Sequence, residues 1–183
     1  MKRRNLQIAV GGVSCCLLVH TGGYAYAASL VPTSVFVQAG FGDQKTDAYL
    51  AGLTWKVPWH YDFGAGALGL FVEAALGRWH TGGHDDSTAW PTQFSATPTL
   101  RFHPSMAPNW FGEIGVGANY IVPLFHSGQK RFSTEFNFGD HVAVGRAFGR
   151  SDVSVRVEHF SNAGISHPNP GENFVQVRYA YRL

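Results

Sequence analysis

From Val35 onward, apolar residues recur at every second position, the period that sends successive side chains to opposite faces of a β-strand. Val35, Val37, Ala39 and Phe41 oppose Ser34, Phe36, Gln38 and Gly40. Beyond a polar turn at 42–47, Tyr49, Ala51, Leu53, Trp55 and Val57 oppose Leu50, Gly52, Thr54 and Lys56, which predicts a hairpin. A break is expected at 58–63. The third strand sets Leu68, Leu70, Val72, Ala74 and Leu76 against Gly69, Phe71, Glu73, Ala75 and Gly77, then enters a loop at 81–88. The fourth sets Phe94, Ala96, Pro98, Leu100 and Phe102 against Gln93, Ser95, Thr97, Thr99 and Arg101. Pro98 is a local objection to a central strand, because it cannot donate to the ladder.

A turn at 103–108 leads to a fifth strand, with Trp110, Ile114, Val116, Ala118 and Tyr120 opposite Glu113, Gly115, Gly117 and Asn119. After a link at about 121–130, the sixth carries Phe132, Phe136, Phe138, Val142 and Val144 on its apolar face. Asp140 interrupts that face and predicts a bulge near Gly139 or a shorter spanning segment. The seventh has Val153, Val155, Val157, His159 and Ser161 against Ser154, Arg156, Glu158 and Phe160. The eighth, about 173–183, has Val175, Val177, Tyr179, Tyr181 and Leu183 against Phe174, Gln176, Arg178 and Arg182. Eight antiparallel strands are an even number, so the first and last can pair and close a barrel.

The charges decide which kind. Lys56, Glu73, Arg101, Glu113, Glu135, Arg156, Glu158, Arg178 and Arg182 all fall opposite the apolar set. A soluble barrel needs a greasy lumen and a polar exterior, whereas a membrane barrel reverses both. The expected fold is therefore all-β, an eight-stranded antiparallel transmembrane β-barrel whose inward charges pair as structural filler. Trp55, Trp79, Trp90, Trp110 and the tyrosines of the eighth strand then read as interfacial girdle residues.

The N-terminus changes the charge picture. Lys2, Arg3 and Arg4 precede the mostly apolar 6–19 stretch, and Ala25-Tyr26-Ala27 supplies a small-x-small cleavage pattern. Residues 1–27 are expected to be a secretory signal peptide and 28–183 the barrel. Both cysteines, Cys15 and Cys16, fall inside the leader, so the remainder carries no thiol or disulfide. Without the leader the formal charge moves from +2 to −1, with 11 basic and 12 acidic residues and no basic run. Nucleic-acid binding thereby loses its compositional support.

Two residues carry chemistry on the greasy face. His159 and Ser161 are neighbours on one side of the seventh strand, and a serine becomes a nucleophile when a neighbouring base takes its proton. A nucleophile on an apolar wall needs a substrate that is itself in an apolar medium, which points to a lipid. Bacterial barrels keep longer loops on the outer side. The loops at 42–47, 81–88, 121–130 and 162–172 lie at one end, placing His159 and Ser161 near an outer leaflet of lipopolysaccharide. His80, His84, Asp85 and Asp86 could imitate a metal site, but a Gly-rich loop offers no converging scaffold, and a solvated loop is the better reading.

The run His159-Phe-Ser-Asn-Ala-Gly-Ile165, followed by Pro168-Asn-Pro-Gly171 and an alternating final strand, resembles the lipid A 3-O-deacylase (PagL) family over about 25 residues. That resemblance implies an outer-membrane esterase removing the 3-linked hydroxyacyl chain of lipid A, with no metal and no organic cofactor. It implies His159 as general base and Ser161 as nucleophile, with Asn162, Gly164 and Asn169 as oxyanion or substrate elements. The Gly164 N–H and the Asn169 side chain are the preferred oxyanion donors. The third triad position departs from the family: the aligned residue is Asn173, and Glu172 lies one place earlier. Strand parity favours Asn173, charge favours Glu172, and both stay candidates. The implied partners are lipid A in the outer membrane and no nucleic acid, with a homodimer left open. The rival reading is a small non-enzymatic barrel of the OmpX type, an adhesin or membrane stabiliser, which gives no reason for His159 and Ser161 to share the apolar face.

Overall fold

The structure is a computed structural model that describes residues 17–21, 24–28, 30–81, 90–127 and 130–183. It divides into two units, residues 1–31 and 32–183. In the first, Leu17–Thr21 pairs antiparallel with Tyr24–Ala28. The basic residues of the expected leader, Cys15 and Cys16 lie outside the described residues, as do His84, Asp85 and Asp86.

The second unit is a closed barrel of eight antiparallel strands, β1 (Ser34–Gly42), β2 (Thr46–Phe63), β3 (Gly66–Thr81), β4 (Thr92–Pro104), β5 (Trp110–Val122), β6 (Phe136–Phe148), β7 (Ser151–Ser161) and β8 (Glu172–Arg182). Each strand pairs with its chain neighbour, and β8 closes on β1. The alternation sets the register. Phe36 and Gln38 of β1 and Ser154, Arg156, Glu158 and Phe160 of β7 are buried in the lumen, while Val37, Val142, Val155, Val157 and Val177 stand on the outer wall. Slipping β7 by one residue would put Arg156 and Glu158 on the apolar exterior.

The lumen is layered. At the end bearing the longer loops, Trp79 packs against Phe174, Phe160, Phe125 and Phe132 with ring centroids 4.8, 4.9, 5.2 and 6.2 Å apart. Its indole N–H donates to Gln93 at 2.7 Å, so no polar atom is stranded by this burial. Below lies an ionic layer. Glu73 takes Arg156 at 3.1 Å and Arg178 at 2.9 Å, and Arg101 bridges Glu113 at 2.6 Å and Asp152 at 3.0 Å. At the opposite end a cavity of about 340 Å³ is lined by Lys56, Arg101, His103, Asp152 and Arg182.

Several expectations are corrected. β2 does not break at 58–63: it runs on to Phe63, absorbing Pro58 through a register shift between Lys56 and His60. β6 has no bulge at Gly139: its pairing is unbroken from Phe136 to Arg146 with β5 and from Phe138 to Phe148 with β7. Asp140 consequently stays on the outer wall. Phe132 belongs to the loop before β6 and turns into the aromatic cluster. Trp79 is no girdle residue, since odd-numbered positions of β3 face inward with Glu73, and it is wholly buried. Lys56 and Arg182 are exposed, and Glu135 lies in the loop before β6, where it accepts from the Tyr120 hydroxyl; the ionic layer is therefore smaller than the nine charges expected. Trp90, Trp110, Tyr179 and Tyr181 are exposed, as a girdle requires.

Candidate active site

Strand β7 alternates to its last residue, so burying Glu158 and Phe160 obliges His159 and Ser161 to face out. The β7–β8 register then sets Asn173 directly opposite His159. The imidazole Nδ1 and the Asn173 Oδ1 are 2.7 Å apart, and the Asn173 Nδ2 donates to Asp43 Oδ2 at 3.0 Å. A carboxylate can only accept, so the amide nitrogen must face Asp43 and the amide oxygen must face the ring. His159 therefore carries its proton on Nδ1 and presents Nε2 as the free base.

The network continues into two loops. Asp43, in the one-turn 3-10 helix joining β1 to β2, accepts from Lys130 Nζ at 2.7 Å, and Lys130 also donates to Glu172 at 3.0 Å. The bonds from Lys130 and Asn173 hold the Asp43 carboxyl below its ordinary range. Partial burial opposes the charge on Lys130, yet Asp43 and Glu172 together raise its pKa.

Ser161 ends β7, and its hydroxyl is not hydrogen-bonded to His159 in this structure; such bonds are often loose until substrate arrives. Asn162 organises the loop that follows. Its backbone N–H donates to Asn169 Oδ1 at 3.1 Å, its side-chain oxygen accepts from the Gly164 N–H at 2.9 Å, and its side-chain nitrogen donates to Ser166 O at 2.9 Å and Ser133 Oγ at 3.1 Å. Ala163 and Gly164 turn the chain through left-handed conformations, φ 53° and 80°. Gly171, at φ 66°, then brings the backbone against the His159 ring.

Of the residues picked out in the sequence, the structure joins His159 to Asn173 and ties Asn162, Gly164 and Asn169 into one loop. It does not bring Glu172 to the histidine: Glu172 faces the lumen, fully buried, beside Phe160 in the register. The Gly164 N–H is already engaged by Asn162. Sequence reasoning missed Asp43 and Lys130, for which a turn aspartate and a loop lysine give no signal, and Gly171, whose place in Pro168-Asn-Pro-Gly171 suggested only a turn.

A groove of about 610 Å³ runs from the site across the outer wall, lined by His159, Asp140, Val157, Val142, Ile114 and Pro98 among others. Pro98 helps to form it: β4–β5 pairing lapses between Ala96 and Thr99. Asp140 sits across the register from His159, a carboxylate in a mostly apolar channel.

The family model described as lipid A 3-O-deacylase (PagL) matches residues 47–182. A lipid A deacylase PagL of Bordetella bronchiseptica is 34% identical over 137 residues, covering 72% of this chain and 74% of that protein. A lipid A deacylase PagL of Pseudomonas aeruginosa is 29% identical over 156 residues, 80% of this chain and 84% of that one. The crystal structure of the outer membrane enzyme PagL superposes with a TM-score of 0.72 at 24% identity, covering 82% of this chain and 99% of the other, and bears out the barrel. With the family model spanning seven of the eight barrel strands, the chain belongs to the lipid A 3-O-deacylase (PagL) family of outer-membrane β-barrel enzymes.

Proposed function

We propose that this protein hydrolyses the ester holding the 3-linked hydroxyacyl chain of lipid A, working from the barrel wall on substrate in the outer leaflet, after residues 1–27 have been removed as a signal peptide. The observation that carries the reading is the His159–Asn173 hydrogen bond on the lipid-facing wall, two residues from Ser161. Nε2 of His159 takes the Ser161 hydroxyl proton as Oγ attacks the ester carbonyl. The tetrahedral intermediate collapses, the sugar oxygen leaves with the proton from Nε2, and the acyl group stays on Ser161. Water, deprotonated by the same nitrogen, then releases the fatty acid. The Asn169 side-chain nitrogen, whose partner oxygen is anchored by Asn162, is the oxyanion donor in this reading, and the Gly164 N–H joins it only if Asn162 lets go. The apolar groove beside His159 would take an acyl chain. No step uses a metal or organic cofactor.

Mass spectrometry of lipid A from cells expressing the wild-type chain or Ser161→Ala tests this. Loss of one hydroxyacyl unit in the first and not the second is expected. The same loss with Ser161→Ala would overturn the serine mechanism.

A further inference from the structure

The histidine of a hydrolytic triad works best with a carboxylate behind it, which orients the ring and stabilises the imidazolium formed when it takes the proton. Here the adjoining group is a neutral amide. The negative charge lies one bond further on. Asp43 receives the Asn173 Nδ2 at 3.0 Å while Asn173 Oδ1 receives His159 at 2.7 Å, so the amide bridges a carboxylate and the imidazole.

We infer that Asp43 is a positioning residue for His159, acting through the Asn173 amide, with Lys130 and Glu172 fixing Asp43 in place. This rests on the proposed serine–histidine reading. Two consequences follow from the bonding. First, a free asparagine amide could turn over and aim its nitrogen at the ring, where it would force the lone pair onto Nδ1 and the proton onto Nε2, the wrong tautomer for a base facing Ser161. Asp43 forbids that turn, because two oxygens would then face each other. Second, an amide whose N–H is held by a carboxylate is a stronger acceptor at its oxygen, as hydrogen bonds in a chain polarise one another. Asn173 thus passes on part of the charge it lacks.

Lys130 does not cancel the effect. Its ammonium donates to both Asp43 at 2.7 Å and Glu172 at 3.0 Å, so its charge is divided between two groups and not spent on Asp43 alone. Glu172 is thereby given a structural task distinct from the triad role its charge suggested. Three segments distant in the sequence meet here: the β1–β2 connection, the loop before β6 and the start of β8. The base is oriented only when the barrel has closed.

The test uses purified, folded full-length barrels on one lipopolysaccharide preparation. Asp43→Asn should lower kcat by about tenfold, the scale of weakening general-base catalysis, with KM nearly unchanged. The groups that bear on the His159 charge are Asp140 from β6, and Asp43, Lys130 and Glu172 beyond Asn173. Removing the Asp43 charge makes the imidazolium less favourable, so the acidic limb of the pH–rate profile should move to lower pH. In an Asn173→Glu background the carboxylate touches the ring directly, and Asp43→Asn should there cost nothing or raise kcat by relieving repulsion between two carboxylates. Equal losses in both backgrounds, or none in either, would overturn the inference. Ser161→Ala assayed alongside separates the two levels: an active Ser161→Ala sinks the underlying mechanism, whereas an inactive one with a fully active Asp43→Asn sinks only the role of Asp43.

Discussion

Gly171 lies against the ring of His159: a Cβ built on its backbone would fall 2.6 Å from His159 Cε1. Its φ of 66° adds a second restriction, since residues with a Cβ lose about 1–2 kcal/mol in that region. Gly171→Ala should tilt the ring away from Asn173 and cut kcat by about tenfold or more. Gly149→Ala, in the turn between β6 and β7, is the control. Gly149 has φ 60° but open space around its added Cβ, so it should lose stability and keep most activity. Comparable activity losses in the two purified variants would show that backbone strain, not the ring contact, matters.

Ser161→Ala and His159→Ala should each lower deacylation by several orders of magnitude, because nucleophile and base act as a unit. Both variants should still give a heat-modifiable band on gels, since each side chain projects from the outer wall. Full activity in either would remove the mechanism.

Asn173→Ala should reduce turnover about tenfold or more, as expected for a base that has lost its orienting partner, while Glu172→Gln should do less. Glu172 meets Lys130 and not the imidazole. An inactive Glu172→Gln beside a near-normal Asn173→Ala would reverse the assignment.

Turnover in detergent should survive EDTA, because the proposed nucleophile is a hydroxyl activated by an imidazole. Activity abolished by chelation and restored by added divalent metal would replace this scheme with a metal-bound water.

In the lumen, Arg156→Ala should be far more damaging than any change on the outer wall. It leaves Glu73 with Arg178 alone and Glu113 with Arg101 alone, and removing one partner from a buried ionic network costs up to about 3–5 kcal/mol. Urea unfolding of the detergent-folded barrel followed by tryptophan fluorescence would measure it, and a loss below about 1 kcal/mol would mean that Arg178 and Arg101 suffice for the two carboxylates.

The barrel was legible because a two-residue period needs no knowledge of partners: parity alone sorts Val155 from Arg156. The His159–Asn173 contact was legible for the same reason, once the strands on either side of the 162–171 loop are read as neighbours. Trp79 shows where composition misled, since the habit of placing tryptophan at membrane interfaces outweighed a parity that already pointed inward. Asp140 shows the converse: a charge on the apolar face predicts broken geometry, yet the strand runs on unbroken and the charge lies across from His159. The Asp43–Asn173 bond was out of reach, because it joins positions 130 residues apart and exists only where β8 meets β1. Loop contacts of that kind have no period.

The stack of rings around Trp79 bears on permeability. Five aromatic side chains occupy the described lumen beneath the loops, and the Arg–Glu layer fills the level below, so the cavity of about 340 Å³ at the other end is a blind pit. A barrel whose proposed site lies on its exterior has no need of a conduit, and this one is corked by the inward-facing neighbours of that site, Phe160 beside His159 and Phe174 beside Asn173. A membrane crowded with such barrels should therefore keep its resistance to small polar antibiotics and dyes, even while the lipid around them is being remodelled.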